Sequence, residues 1–153
     1  MTPTYDLMAS NVLTSSASSI TFSSIPATYR DLVLVMATDT IVGSQMRINN
    51  DSSSIYNRVL MFARTTGASS LAASDRAQID FDLTDTATRS LVIFNFLDYA
   101  QTNKQKSILI RTNADLISAM AGRVATTAAI TSIEIFGTTY AAGSSFYLYG
   151  ISA

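Results

Sequence analysis

Histidine, cysteine and tryptophan are all absent from this chain of 153 residues. That removes disulfide frameworks, Cys/His zinc sites, thiol nucleophiles and histidine acid–base chemistry together. Charge is also scarce, at 14% of residues against about 25% in an ordinary globular chain. The net charge of −1 sets up no field that would gather nucleic acid or an anionic membrane. Glutamate occurs once, at Glu134, and glycine is too sparse to form a phosphate-cradling loop. The longest apolar runs, such as Leu32–Ala37 and Leu91–Phe94, are too short to span a bilayer. The opening MTPTYDLMAS lacks the basic and apolar regions of a secretory signal, so none is expected.

Serine and threonine stand where the charge is missing, and hydrophobic residues still make up 48%. A chain of this length is expected to form one domain, residues 1–153, and to bury roughly 70% of its unfolded surface. Short apolar runs rich in Val, Ile, Thr, Tyr and Phe recur between Ser/Thr/Asn/Asp/Gly punctuation. They predict strands over Tyr5–Ser10, Ser18–Ser23, Asp31–Thr38, Gln45–Ile48, Tyr56–Arg64, Ala77–Leu83, Ser90–Phe96, Lys106–Arg111, Ile117–Val124, Ile130–Phe136 and Ser145–Ile151. The expected fold is all-β: an antiparallel, jelly-roll-like β-sandwich of about ten short strands. RTTGASSLAASDR (64–76) reads as an exposed loop with one helical turn near Leu71–Ser74. DLISAMAGRVA is ambiguous: Leu116, Met120 and Val124 share a helical face, while Gly122 and the β-branched flank favour a strand.

Some strands alternate apolar and polar residues. Ile20 and Phe22 oppose Ser19, Thr21 and Ser23; Ile79 and Phe81 oppose Gln78, Asp80 and Asp82. Others are apolar on both faces. DLVLVMA sets Leu32, Leu34 and Met36 against Val33, Val35 and Ala37, and LVIFNFL is broken only by Asn95. In FYLY, Phe146 and Leu148 are expected to face the core, with Tyr147 and Tyr149 outward, where a hydroxyl can stay wet. A two-layer sandwich covers one face of each sheet, so these strands need a second cover. A neighbouring subunit would supply it through a candidate interface of Val33, Val35, Val92, Phe94, Phe96, Tyr147 and Tyr149; a third layer of the chain's own loops is the alternative.

The search for chemistry finds no enzyme. Asp80, Asp82 and Asp85 form the densest acidic cluster but lack the remaining ligands of a calcium loop, so they read as a solvated strand face. Glu134 reads as an outward strand residue without the second carboxylate a glycosidase needs. A Ser–Lys dyad would have to use Lys104 or Lys106, both in a turn. INNDSSS (48–54) reads as a hairpin tip capped by its own Asn and Asp side chains. Its Asn50-Asp51-Ser52 is a formal glycosylation acceptor without a secretory context. Tyr29, Tyr56, Tyr99, Tyr140, Tyr147 and Tyr149 could stack on sugars; packing with a wetted hydroxyl is the simpler role. No metal, cofactor, nucleic-acid or membrane partner is expected.

Four stretches resemble small β-rich virion proteins of tailed bacteriophages, especially cyanophages. They are ITFSSIPATYRDLVLVM (20–36), RINNDSSSIYNRVL (47–60), FLDYAQTNKQKSILIRTNAD (96–115) and TAAITSIEIFGTTYAAGSSFYLYGIS (127–152). Ser24-Ile25-Pro26…Tyr29-x-Asp31-Leu32 and Leu148-Tyr149-Gly150-Ile151 are their most specific pieces. The resemblance implies a virion structural protein made in the host cytoplasm. Its role would be capsid decoration (cement), as a homotrimer on the major capsid protein or another virion protein; a tail, baseplate or fibre component is the alternative. A carbohydrate-binding module for host attachment is a further alternative. Physically, Pro26 must leave a sheet, and Tyr29 is placed to pin the following corner with its hydroxyl bonded to backbone.

Overall fold

The computed structural model describes residues 4–64, 66–81, 90–113 and 117–152, with Arg64 as backbone only. Twelve strands run through these residues, and no helix. They are β1 (Tyr5–Val12), β2 (Ala17–Phe22), β3 (Asp31–Thr38), β4 (Gln45–Ile48), β5 (Tyr56–Arg64), β6 (Gly67–Arg76), β7 (Ile79–Asp80), β8 (Ser90–Leu97), β9 (Lys106–Asn113), β10 (Ile117–Val124), β11 (Ile133–Tyr140) and β12 (Ser145–Ile151). One sheet has eight strands in the order β1-β12-β3-β8-β9-β10-β5-β6, the other four in the order β2-β11-β4-β7. Every ladder is antiparallel.

The pairing is nested. β1 pairs with β12, β2 with β11, β3 with β8 and β4 with β7, as if one long hairpin had been rolled up. Those eight strands, in the orders β1-β12-β3-β8 and β2-β11-β4-β7, form a jelly roll. β5–β6, between β4 and β7, and β9–β10, between β8 and β11, are two inserted hairpins. They extend the first sheet past β8 and give it its double width.

The core lies between the sheets. Leu32, Leu34 and Met36 of β3, Val92, Phe94 and Phe96 of β8, and Phe146 and Leu148 of β12 point into it. Ile20, Met46, Ile133 and Ile135 meet them from the small sheet. One cross-strand row runs Leu148–Leu34–Phe94–Ile110–Met120–Leu60–Leu71. Its first six side chains are at most 4% exposed, whereas Leu71 is 54% exposed. Phe81 meets Phe94 edge to face at 4.9 Å, and Tyr140 meets Phe146 at 5.4 Å, within the range favoured for ring pairs.

Three sequence expectations change. The segment 64–76 is not a loop with a helical turn, because Gly67–Arg76 is a ten-residue strand paired with β5. It lies at the sheet edge and is exposed on both faces, so nothing imposes the alternation that would have revealed it. The ambiguous segment resolves as β10, held between β9 and β5 by two full ladders; its inward side chains are Ser118, Met120 and Val124, at period two. Val92, Phe94 and Phe96, expected at an interface, are fully buried in the chain's own core. The outward residues of β8 are Leu91, Ile93, Asn95 and Leu97. The strand expected over Ala77–Leu83 is described as far as Phe81, with Ile79–Asp80 in ladder; Asp82 and Leu83 lie outside the described residues.

The corner after Pro26 is pinned by two tyrosines. Tyr99 donates its hydroxyl hydrogen to the Pro26 carbonyl and accepts from the Tyr29 N–H at 3.3 Å. Tyr29 itself donates to the Asp6 carboxylate at 3.0 Å, a side-chain partner where backbone was expected. This bond and partial burial raise the Tyr29 phenol above its ordinary pKa. The Tyr29 ring lies flat against Gly150, where any Cβ would overlap it. With Tyr29 in that place, position 150 has room only for glycine.

Leu148→Ala should lower the unfolding free energy by about 2–5 kcal/mol, through lost transfer and a cavity. Tyr149→Ala, on the half-buried outer face, should cost less. Urea unfolding midpoints compare them; the reverse ranking would mean the β12 register is wrong.

Candidate interface on the eight-stranded sheet

The outward rows of the large sheet can be read directly from the ladders. One row runs Leu7–Tyr149–Val33–Asn95–Leu109–Ala121–Val59–Ala72, and the next Tyr147–Val35–Ile93–Arg111–Ala119–Met61–Ser70. A third runs Ser145–Ala37–Leu91–Asn113–Ile117–Ala63–Ala68. Arg111 is the one charged side chain in these three rows. It donates a hydrogen bond to Asn95 at 3.3 Å, which holds its head along the sheet.

The inserted hairpins carry the two most exposed of the large apolar side chains, Ile117 at 74% and Met61 at 62%, with Val59 beside them at 53%; Tyr5, Leu7 and Val12 of β1 are comparably exposed at the opposite edge. Val59 and Met61 stand as a ridge on β5 between two troughs floored by Ala119 and Ala121 of β10 and by Ser70 and Ala72 of β6. Depressions of about 500 Å³ and 650 Å³ lie along these troughs. Three adjoining rows of mostly Val, Leu, Ile, Met, Tyr and Ala with one charge form a contiguous apolar field, unlike the singly scattered apolar residues of an ordinary surface.

The expected interface residues divide across the molecule. Val33, Val35, Tyr147 and Tyr149 belong to this outer face; Val33 is already 7% exposed, and Val35 and both tyrosines are half-buried. The stronger exposure sits toward the two edges of the sheet, on Leu7 and Val12 of β1 and on Val59, Met61, Leu109 and Ile117 of β5, β9 and β10. Sequence reasoning missed the exposure on β5, β9 and β10 because Tyr56–Arg64 and Lys106–Arg111 show no clean alternation that assigns their faces, and DLISAMAGRVA reads ambiguously as helix or strand.

The other candidate groups have structural partners. Asp80 faces Arg58 and Arg76, each at 3.7 Å; Asp85, like Asp82, lies outside the described residues. Among the described residues no cluster of three or more acidic side chains could hold a metal. Glu134, half-buried on the small sheet's outer face, pairs with Arg47 at 3.7 Å, and Arg47 stacks over Phe136. Lys106 is fully buried and donates to the Gln101 carbonyl rather than to a serine. Desolvation, with Lys104 nearby, pushes its ammonium pKa down. Asp51 caps its turn as expected, accepting from Ser53 N–H at 2.9 Å, and the Ser53 bonds hold its carboxyl below the usual range. A cleft of about 480 Å³ is lined by Thr38, Asp39, Ser90 and Ser144. Among the described residues the buried Ser90 hydroxyl there has no hydrogen-bond partner, and the described lining pairs no nucleophile with a base.

Four of the six tyrosines singled out in the sequence are structural. Tyr29 and Tyr99 pin the corner. Tyr56 hydroxyl lies 2.8 Å from the Asp51 carbonyl and accepts from Ile48 N–H at 3.2 Å. Tyr140 donates to Ser44 Oγ at 3.1 Å. Tyr147 and Tyr149 remain at the outer face, and Tyr5 meets Tyr149 edge-on at 6.4 Å.

No family model matches the chain, and no curated protein does. Similar solved structures include a galectin, LEC-6, from Caenorhabditis elegans, at TM-score 0.39 and 12% identity, covering 98% of this chain and 96% of that one. A toad ovary galectin solved with thio-digalactose gives 0.41 and 12%, covering 86% and 98%. A PL-14 alginate lyase from Aplysia kurodai gives 0.32 and 9%, covering 83% and 71%. These are β-sandwich neighbours, and at such scores they carry no argument about function.

Burial pushes the Tyr140 phenol from 10.0 up to about 12. The unfolded chain releases this proton near its ordinary pKa while the folded chain still holds it. Stability is therefore intact below pH 10 and falls as pH rises toward 12, by roughly 1.4 kcal/mol per pKa unit. Tyr140→Phe should start about 1 kcal/mol lower at neutral pH and lose stability less steeply above pH 10. Urea unfolding across that range checks it; identical slopes would contradict the burial of this phenol.

Proposed function

We propose that this chain is a structural protein of a bacteriophage particle, a capsid decoration protein that docks through the outer face of its eight-stranded sheet. The observation that carries the reading is that face: three rows of mostly apolar side chains with a single charge, on a sheet whose other face already fills the core. The partner is an apolar patch on a virion subunit, with a carboxylate placed to meet Arg111. The resemblance to virion proteins supplies the setting, and the absence of histidine and cysteine from the sequence suits a protein that acts by binding. Many copies on a shell add weak contacts through effective concentration, so each interface need not be tight. The scarcity of charge suits dense packing, where like-charged neighbours would repel.

Val59→Glu/Met61→Glu tests the reading. Both side chains are exposed, so the variant should fold with an unchanged unfolding midpoint yet fail to bind particles stripped of the native protein. Retained binding by the folded variant would overturn the docking face. Counting copies in purified particles tests the location, since a decoration protein is present in hundreds and a tail component in a few to tens.

A further inference from the structure

The two edges of the eight-stranded sheet are built differently. At one edge β1 carries a bulge between Leu7 and Ala9, and its Asp6 is tied to Tyr29. Bulges and charges are the usual means of discouraging edge pairing. At the other edge β6 runs from Gly67 to Ser74 without a charge or a proline. Its ladder with β5 stays regular from Arg58–Ala73 to Arg64–Gly67, with the irregularity beyond that, toward Tyr56. Leu71 closes the apolar core row and stays 54% exposed beside the buried Leu60.

We propose that β6 pairs antiparallel with β6 of a second copy about a two-fold axis at Leu71. The inward row then continues without a break, Leu60–Leu71 of one copy meeting Leu71–Leu60 of the other, and the exposed end of the core is covered. In this register residue 69 lies opposite 73, and the regular stretch from Gly67 to Ala73 carries no charge, so no like charges meet along it. The paired sheets make one continuous surface of sixteen strands, counting eight from each copy, with both outer faces on the same side. The inference rests on the docking reading in one respect: the dimer doubles that face, and two linked docking surfaces bind more tightly than one. The symmetry is that of a dimer, in place of the trimer the sequence resemblance implies.

The chain contains no cysteine, so single cysteines report the register directly. Leu71→Cys sits on the axis, where directly opposed Cα atoms lie about 4.5–5.5 Å apart, within disulfide reach. Mild oxidation should convert it to a covalent dimer. Ala73→Cys alone should stay monomeric on a denaturing gel, because residues 73 of the two copies lie about 13 Å apart along the strands. Mixed with Ser69→Cys, it should cross-link. Leu71→Lys, at an exposed position, should stay folded and scatter light as a monomer where the native chain scatters as a dimer, and its unfolding midpoint should no longer rise with protein concentration. A native chain that is monomeric or trimeric at micromolar concentration overturns the inference, as does a native dimer whose Leu71→Cys form does not cross-link. Particle binding by the Val59→Glu/Met61→Glu variant is read separately, so failure of the edge and failure of the docking face are told apart.

Discussion

Side-chain alternation along the β12–β3–β8 ladders is the constraint on which the rest of the molecule depends. Leu148, Leu34 and Phe94 stand in one cross-strand row, so all three point to the same side of the sheet. A one-residue slip in any of these strands would turn a fully apolar row outward. With the row fixed inward, Tyr149, Val33 and Asn95 are fixed outward. The ladder that fills the core thus also creates an outer face from whatever remains, and in these strands what remains is largely apolar.

The nested jelly roll would balance four strands against four. The inserted hairpins break that balance by doubling one sheet while the other stays at four strands. Their inner faces are still buried, by Ile108, Ile110, Met120 and Leu60. Burial stops at β6, beyond the reach of the fold's own cover. A sheet wider than its partner therefore leaves two kinds of unfinished surface: an apolar outer field and an open edge. On the proposed reading, each is a place where another subunit would lower the free energy by burying apolar area and satisfying backbone groups. The tyrosines and carboxylates mostly serve the frame beneath that surface.

Much of this was legible in the sequence. Five strands, Asp31–Thr38, Gln45–Ile48, Tyr56–Arg64, Ile117–Val124 and Ser145–Ile151, have the bounds that composition and punctuation imply. The facing of Phe146 and Leu148 inward, with Tyr147 and Tyr149 outward, follows from which side chains carry a polar handle. β6 was not legible, because a strand exposed on both faces has no periodicity to show. The inward burial of Val92, Phe94 and Phe96 could not be chosen over Leu91, Ile93 and Leu97, because a strand apolar on both faces fits the sheet either way round. Sequence symmetry hid the choice, and only cross-strand partners decided it. A related ambiguity hid the exposure of Val59, Met61 and Ile117, since the sequence assigns no face to Tyr56–Arg64 and leaves DLISAMAGRVA open between helix and strand.

The covering of the outer field is tested most directly by oxidising Met61. This side chain stands on the β5 ridge of the field, 62% exposed, while Met36, Met46 and Met120 are buried. Brief peroxide treatment followed by peptide mass spectrometry should convert Met61 to its sulfoxide in the free protein and leave the three buried methionines intact. In assembled particles Met61 should be protected to the level of the buried methionines. Equal oxidation of Met61 in free protein and in particles would contradict the account, because the field would then stay open to water where it is held to be covered.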